Sequence, residues 1–502
     1  MHRNEVSARI AIIGAGFGGL GMLHALKRAG FSDVTVYEKR DDLGGVWRDN
    51  VYPGAACDVP SHLYSFSFVP GYPWSHRFAR QPEILAYQHH CATQFDWWPH
   101  LRFGRDVSAS VFDEARGIWR LRMADGEVIE ADIVISAVGQ LHRPAIPSIA
   151  GAERFSGQRF HSAAWPSGFD ATGRRIAVIG TGASAVQFVP EIAPLAAALH
   201  VFQRSPGWVL PREWVTPNAG KPYSAAERAR LQRLPWLERF DRARIYGVAE
   251  ALAVAYNGNR TGEALIRRLC LRNLRRQVPD PALRAALTPD FPVGCKRILL
   301  TSDWLPTLTR PNVHLVTEGI AEITETGVRT HNGAEHAVDT LIYGTGFAAT
   351  EFLTPMTVTG RNNTDLHTRW RDGAEAYLGM AVAGFPNFFM LYGPNTNVGS
   401  GSIIFMLECQ QRFVTDLLQR RQAQRQQTVE VAESVQRAYN DEMIARSSRT
   451  SYAGNCQSWY KTADGRNTNN WVGTMSEFRR RTAEPSGDAF VLSAAESGAV
   501  LT

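Results

Sequence analysis

Two apolar runs in this chain end in glycine-rich turns, and that repetition limits the possible folds more than any other feature. The first reads Arg9-Ile-Ala-Ile-Ile-Gly14-Ala-Gly16-Phe17-Gly-Gly19. A short, continuous apolar run of this kind is the pattern of a buried parallel strand. A helical stretch over 20–29 follows, Gly30 stops it, and a second strand over 34–37 ends at Glu38. GxGxxG at the first turn of a βαβ unit, with an acid about 20 residues beyond, sets a pyrophosphate on bare amides at a helix N-terminus and a ribose diol on the acid. The glycines alone would fit an ordinary tight turn; the acid in register is what specifies a dinucleotide.

The second run is Arg174-Arg-Ile-Ala-Val-Ile-Gly180-Thr-Gly182-Ala-Ser184-Ala185. Its second strand, over 199–202, is closed by Arg204 and Ser205 instead of an acid. A carboxylate there would repel a ribose 2′-phosphate, whereas a guanidinium and a hydroxyl bind one, so the pattern favours NADPH over NADH. Two dinucleotide turns in one chain point to an enzyme that moves electrons between two cofactors. The fold class expected is α/β, with two Rossmann-like domains. The boundaries predicted are 1–145 with 381–502 for the domain of the first glycine turn, 153–210 with 295–380 for the NADPH domain, and 211–294 for a helical insertion.

The insertion is read from its helix starts. Ser224-Ala-Ala-Glu227 has capping-box spacing, and Asp280-Pro281 pairs an N-cap acid with proline at the first helical position. Arg267, Arg268, Arg272, Arg275 and Arg276 are expected on a solvated helix face. The weakly patterned tail after Ala483 is expected to be loose.

Composition excludes several classes. Net charge is +6, carried mostly by dispersed arginines with five lysines, which argues against a nucleic-acid binder. No apolar run approaches the ~20 residues of a membrane span. The polar start over 1–9 runs straight into a strand, so no secretory leader and a cytoplasmic location are expected. Cys57, Cys91, Cys270, Cys295, Cys409 and Cys456 form no CxxC or CxxxxC pair; neither a disulfide framework nor a structural zinc site is expected, and a disulfide reductase is disfavoured. The oligomeric state is not legible.

Two further stretches carry a resemblance. Phe155-Ser-Gly157-Gln-Arg-Phe-His161-Ser-Ala-Ala-Trp165-Pro166 fits FxGxxxHxxxWP, and Gly45-Val-Trp47-Arg-Asp-Asn-Val-Tyr52-Pro53-Gly54-Ala-Ala-Cys-Asp58 fits GxWxxxx(F/Y)PGxxxD. Between two glycine-rich turns, these motifs resemble those of the type I Baeyer–Villiger monooxygenases, a branch of the class B flavin monooxygenases. Pro394-Asn-Thr-Asn397 and Cys456-Gln-Ser-Trp459-Tyr460 are similar to the branch that includes hydroxyacetophenone monooxygenase.

The resemblance implies FAD on the first unit and NADPH on the second. It implies insertion of one oxygen atom from O₂ beside a ketone carbonyl, giving an ester or lactone through a flavin peroxide. Chemistry of this kind calls for a fixed cation that favours the anionic oxidant and the oxyanion that follows. The family's Lys-Arg pair corresponds to Lys296-Arg297, which makes Arg297 the catalytic candidate. Asp58, closing the Trp/Pro-Gly motif, is its expected orienting partner. FAD contacts are expected at Gly14, Gly16, Phe17, Gly19, Glu38, Trp47, Asp58, Tyr64 and Val107. NADP contacts are expected at Gly180, Gly182, Ser184, Ala185, Gln187, Arg204, Ser205, Lys296 and Trp459. His161 and Trp165 are expected to form a hinge between the domains rather than to react. One departure stands out: the strand before residue 346 ends Gly344-Thr-Gly346 where the family has Ala-Thr-Gly.

The nearest rival reading is an N- or S-oxygenating enzyme on the same scaffold, which needs a protonated oxidant and no carbonyl-attacking anion. An NADPH oxidase without an organic substrate is the more distant one. An intact Arg297 and Asp58 favours the ketone route.

Overall fold

Ile10–Ile13 is buried along its whole length, as a central parallel strand must be. The computed structural model describes residues 8–216 and 218–494. Ile10–Ile13 lies at the centre of a parallel sheet ordered Phe388–Met390, Ile133–Ser136, Ile10–Ile13, Val34–Tyr37, Leu101–Arg102. The helix Phe17–Arg28 follows the glycine turn and packs on the long helix Ile403–Ala423. Gly21 allows that approach: a Cβ there would stand 2.4 Å from Gln411 Nε2.

The second sheet repeats the plan. Its order is Val313–Val316, Ala198–Phe202, Arg175–Ile179, Thr340–Tyr343, Gln158–His161, all parallel. Gly344 sits beneath the second glycine turn, and a methyl on it would lie 3.3 Å from Ala185 Cβ. Glycine in place of the family's alanine therefore relieves a tight contact.

The helical insertion contains Ala225–Arg233, Pro235–Tyr256, Arg260–Gln277 and Pro281–Ala286. The Ser224/Glu227 capping box forms in both directions. Asp280 accepts hydrogen bonds from the amides of Ala282 and Leu283, and the five arginines of the third helix are all exposed. The insertion is fastened to the first domain by Arg242, which donates to the carbonyls of His62 and Ser65.

Three expectations are corrected. First, the chain returns to the first domain before 381. Thr357–Thr359 pairs with Val107–Asp113, and Phe352, Met356 and Val358 share a core with Ile13 and Val107. Second, Phe490–Ser493 pairs antiparallel with Thr428–Val431, so the described tail is tied down. Third, Cys295 and Cys456 form a disulfide across 161 residues. The other four cysteines are buried and free. Gln158–His161 is an edge strand of the second sheet.

Candidate active site

Asp58 and Arg297 come from different domains and meet edge to edge. Arg297 Nε donates to Asp58 Oδ2 at 2.9 Å and an outer guanidinium nitrogen donates to Oδ1 at 2.8 Å. The Tyr52–Ala55 turn, closed by the Ala55 amide on the Tyr52 carbonyl, leads the chain to Asp58. Arg297 precedes the short strand Leu299–Leu300, which pairs with Val209–Leu210. Burial opposes the guanidinium charge, but the Asp58 carboxylate outweighs it and holds the Arg297 pKa above its ordinary value. The bidentate fork fixes the plane of the cation as well as its charge.

The pair opens onto an apolar cleft between the domains and the insertion. One wall is the inner face of the helix Pro235–Tyr256, with Ile245, Val248, Ala249 and Leu252. Leu63 and Leu210 line other sides. A single ion pair at the edge of an otherwise apolar cleft suits an uncharged substrate with one polar group.

The first glycine turn has the shape of a dinucleotide cradle. Gly14 has φ +103°, and a Cβ there would meet the Ala137 carbonyl at 2.8 Å, so packing alone demands that glycine. Gly16 is different: a Cβ on it would meet nothing closer than 3.7 Å. The protein leaves open the space that a side chain at 16 would narrow, at the N-terminus of the helix begun by Phe17. Gly19 faces back onto Gly14 O. Glu38 is buried and accepts from the amides of Ala15 and Arg40, which brings the acid to the turn. Trp47 Nε1 donates to Tyr64 Oη at 2.9 Å, and Phe17 packs edge-on against Tyr64 at 5.5 Å. Val107 is buried at the start of its strand. These residues fit FAD.

The second turn offers the same cradle. A Cβ on Gly182 would meet nothing within 4 Å, and Ser184 and Ala185 open the helix Ala185–Ile192. Lys296 Nζ contacts Ser205 Oγ. Burial and then the neighbouring Arg204 lower the Lys296 pKa. Among the described residues no carboxylate pairs with Arg204 or Lys296. Asp290 is near enough to oppose that lowering but makes no salt bridge with either cation, and two cations held together in this way suit a dianionic phosphate, so this corner fits NADP. Gln187 spends its amide elsewhere: it donates to Ala56 O and accepts from Tyr52 Oη, stitching the second domain to the Asp58 loop.

His161 is buried, its Nδ1 accepts from the Ala163 amide, and its Nε2 makes no well-formed hydrogen bond among the described residues. Burial lowers its pKa. Trp165 packs against Phe160, Phe169 and Phe188 inside the second domain. Neither touches the Arg297–Asp58 pair.

Trp459 is half-buried and packs against Tyr460, ring centroids 4.4 Å apart. The disulfide brings this loop to Lys296–Arg297, since Cys295 is bonded to Cys456. Sequence reasoning gave no role to Tyr460. Its hydroxyl is fully buried beside Arg297 and Asn470, and makes no well-formed hydrogen bond among the described residues. Burial pushes its pKa up to about 12, with Arg297 close enough to oppose the shift. Tyr392 lies on the same side of the site, donating to Asn397 at 2.7 Å. The only sequence signal for this cluster is its place in the Ser458-Trp459-Tyr460 and Pro394–Asn397 segments.

Comparison with known proteins agrees with this geometry. Residues 7–236 match the FMO-like family of flavin-binding monooxygenase-like proteins. A Baeyer–Villiger monooxygenase of Streptomyces coelicolor is 41% identical over 94% of this chain and 90% of its own length. The chain belongs to the Baeyer–Villiger monooxygenases. A second member, from Pseudomonas aeruginosa, is 40% identical over 96% of this chain and 91% of its own. Among solved Baeyer–Villiger structures, OTEMO in complex with FAD and NADP superposes with a TM-score of 0.86 at 29% identity, covering 97% of this chain and 99% of that one. An oxidised steroid monooxygenase bound to NADP gives 0.85 at 30% identity, covering 97% and 100%. The two-Rossmann α/β fold is thus that of the family. Among the described residues no helix is long and apolar enough to cross a membrane, and no cluster of His, Cys, Asp and Glu could hold a metal ion.

Proposed function

We propose that Arg297, oriented by Asp58, is the catalytic cation of a Baeyer–Villiger oxidation carried out on an apolar ketone in the cleft beside it. The enzyme is an FAD- and NADPH-dependent monooxygenase that converts a ketone, O₂, NADPH and a proton to an ester or lactone, NADP⁺ and water. Bound FAD supplies oxygen activation and bound NADPH the reducing equivalents.

The chain's own residues do the rest. The apolar walls exclude water and leave the ketone carbonyl to find its polar contact at Arg297. As the carbonyl carbon accepts oxygen, its own oxygen gains negative charge, which a preorganised guanidinium in a low-dielectric cleft stabilises. Asp58 fixes the plane of the guanidinium through its bidentate contact, and arginine stays charged at any working pH. Gly14, Gly16, Phe17, Gly19, Glu38, Trp47, Tyr64 and Val107 hold FAD. Gly180, Gly182, Ser184 and Ala185 cradle the NADPH pyrophosphate, and Arg204, Ser205 and Lys296 take its 2′-phosphate. Gln187 ties the two cofactor domains, and Trp459 covers the nicotinamide side. His161 and Trp165 set the edge of the second domain, and no nucleic acid is involved. Use of NADPH is in keeping with a cytoplasmic location.

The observation that carries the reading is the bidentate Arg297–Asp58 pair at the rim of an apolar cleft. It is tested by incubating the holoenzyme with NADPH and a graded panel of neutral and charged ketones, with products resolved by mass. Gain of one oxygen by neutral, apolar ketones is expected. NADPH consumption matched by hydrogen peroxide, with no oxygenated product from any ketone, would overturn it.

A further inference from the structure

The helix Pro235–Tyr256 has two apolar faces. The inner one lines the cleft. On the opposite side Trp236, Phe240 and Val254 are 60%, 68% and 46% exposed, and Ala243, Gly247 and Ala251 between them are exposed too. With 3.6 residues per turn, these six positions fall in one stripe about 80° wide and about 27 Å long. No charged residue interrupts it. A Cβ placed on Gly247 would meet nothing within 4 Å, so none of the described residues covers its centre.

The stripe is symmetric about position 245 to within one residue. Trp236 mirrors Val254 and Ala243 mirrors Gly247 about that position, and Phe240 falls opposite Ala251 one residue off the exact register. In an antiparallel pair of such helices related by a twofold axis, each large side chain of one copy meets a smaller one of the other. The small residues at the middle let the two backbones approach closely. Arg239 and Glu250 lie on one flank of the stripe, and the same axis puts Arg239 of one copy opposite Glu250 of the other. Arg239 is exposed and pairs with no carboxylate among the described residues. Glu250 is held by the amides of Met475 and Ser476. A twofold contact requires this self-complementarity of shape and charge.

We propose that this face is the contact between two copies of this chain, packed antiparallel through Pro235–Tyr256. A lipid surface fits it less well. Membrane-surface helices carry bulky apolar residues along the buried face and mainly basic flanks; here the middle of the stripe is Ala243, Gly247 and Ala251, and the flank is mixed in sign. The consequence for the enzyme is mechanical. The helix whose inner face forms the cleft wall is braced from behind by its counterpart.

The test is the mass of the FAD-loaded full chain in solution at micromolar concentration, by light scattering after size exclusion. Twice the chain mass of 55.6 kDa is expected, falling to the single mass in Phe240→Glu with bound flavin retained. Phe240 is exposed, so its replacement leaves the core intact. As a measurement independent of that charge, Ala243→Cys and Gly247→Cys proteins mixed and oxidised are expected to cross-link to each other. The four free cysteines are buried and do not compete. A wild-type chain of single mass overturns the proposal. So does a dimer that survives Phe240→Glu and gives no cross-link, which places the contact elsewhere. A single chain that floats with phosphatidylglycerol vesicles also overturns it and assigns the face to lipid.

Discussion

Cys456 is bonded to Cys295, so one covalent bond fixes the loop that carries Trp459 and Tyr460 against the segment that carries Lys296 and Arg297. Lys461 Nζ adds a hydrogen bond to the carbonyl of Gly454. The cover of the site and its cation are thereby held as one unit.

Breaking that bond should loosen the cover. Cys456→Ser is expected to lower the unfolding midpoint, since losing a disulfide that closes a long loop costs about 2–4 kcal/mol. It should also raise the share of NADPH lost to hydrogen peroxide. Calorimetry and the ratio of ester to NADPH consumed check both. An unchanged ratio would show that the loop does not shield the site.

Tyr460→Phe separates function from stability. Removing a buried hydroxyl that makes no well-formed hydrogen bond among the described residues should leave the midpoint nearly unchanged, because an unsatisfied buried polar group is costly. If that hydroxyl instead serves the bound ketone or cofactor, kcat/KM for the ketone should fall on the order of tenfold, the worth of one hydrogen bond at about 1.4 kcal/mol. Loss of stability with full turnover would contradict the assignment.

The 2′-phosphate corner predicts a cofactor switch. Arg204→Ala should raise KM for NADPH by roughly tenfold to a hundredfold, as expected for a charge-assisted contact of about 1.5–3 kcal/mol, and leave KM for NADH nearly unchanged. Lys296 gives the pH signature. Burial and then Arg204 lower its pKa, so its positive charge is lost at a lower pH than that of an ordinary lysine. KM for NADPH should therefore rise on the alkaline side, and in Arg204→Ala that rise should move to higher pH. Steady-state kinetics across alkaline pH with both cofactors measure it; equal use of NADH and NADPH by the unaltered enzyme would remove the assignment.

Val248 faces the cleft from the helix wall. Val248→Phe should raise KM for bulky ketones while leaving the rate of flavin reduction by NADPH unchanged. Stopped-flow reduction and a ketone series distinguish a filled cleft from a damaged cofactor site.

Local signals were well preserved in the sequence. Both βαβ units, the Ser224 and Asp280 caps and the exposed arginines of the insertion follow from rules that act within one helix or turn. The features that were missed all depend on contacts between distant segments. Cys295 and Cys456 carry no spacing signature because the bond joins the approach to Arg297 with a C-terminal loop. Phe490–Ser493 reads as a weak segment until Thr428–Val431 supplies its ladder. The strand Gln158–His161 was not read as one because its partner Thr340–Tyr343 lies far downstream. At the site, Arg297 and Asp58 were legible through motif resemblance, whereas the buried hydroxyl of Tyr460 is visible only in three dimensions.

The central claim concerns Arg297, and single-turnover kinetics of Arg297→Ala test it most directly. NADPH should still reduce the bound FAD at close to the normal rate, because Arg204, Ser205 and Lys296 are untouched. Oxygen should then be consumed without ester, since the cation that stabilises the reacting carbonyl oxygen is gone. Normal ester formation from a ketone in that variant would contradict the account.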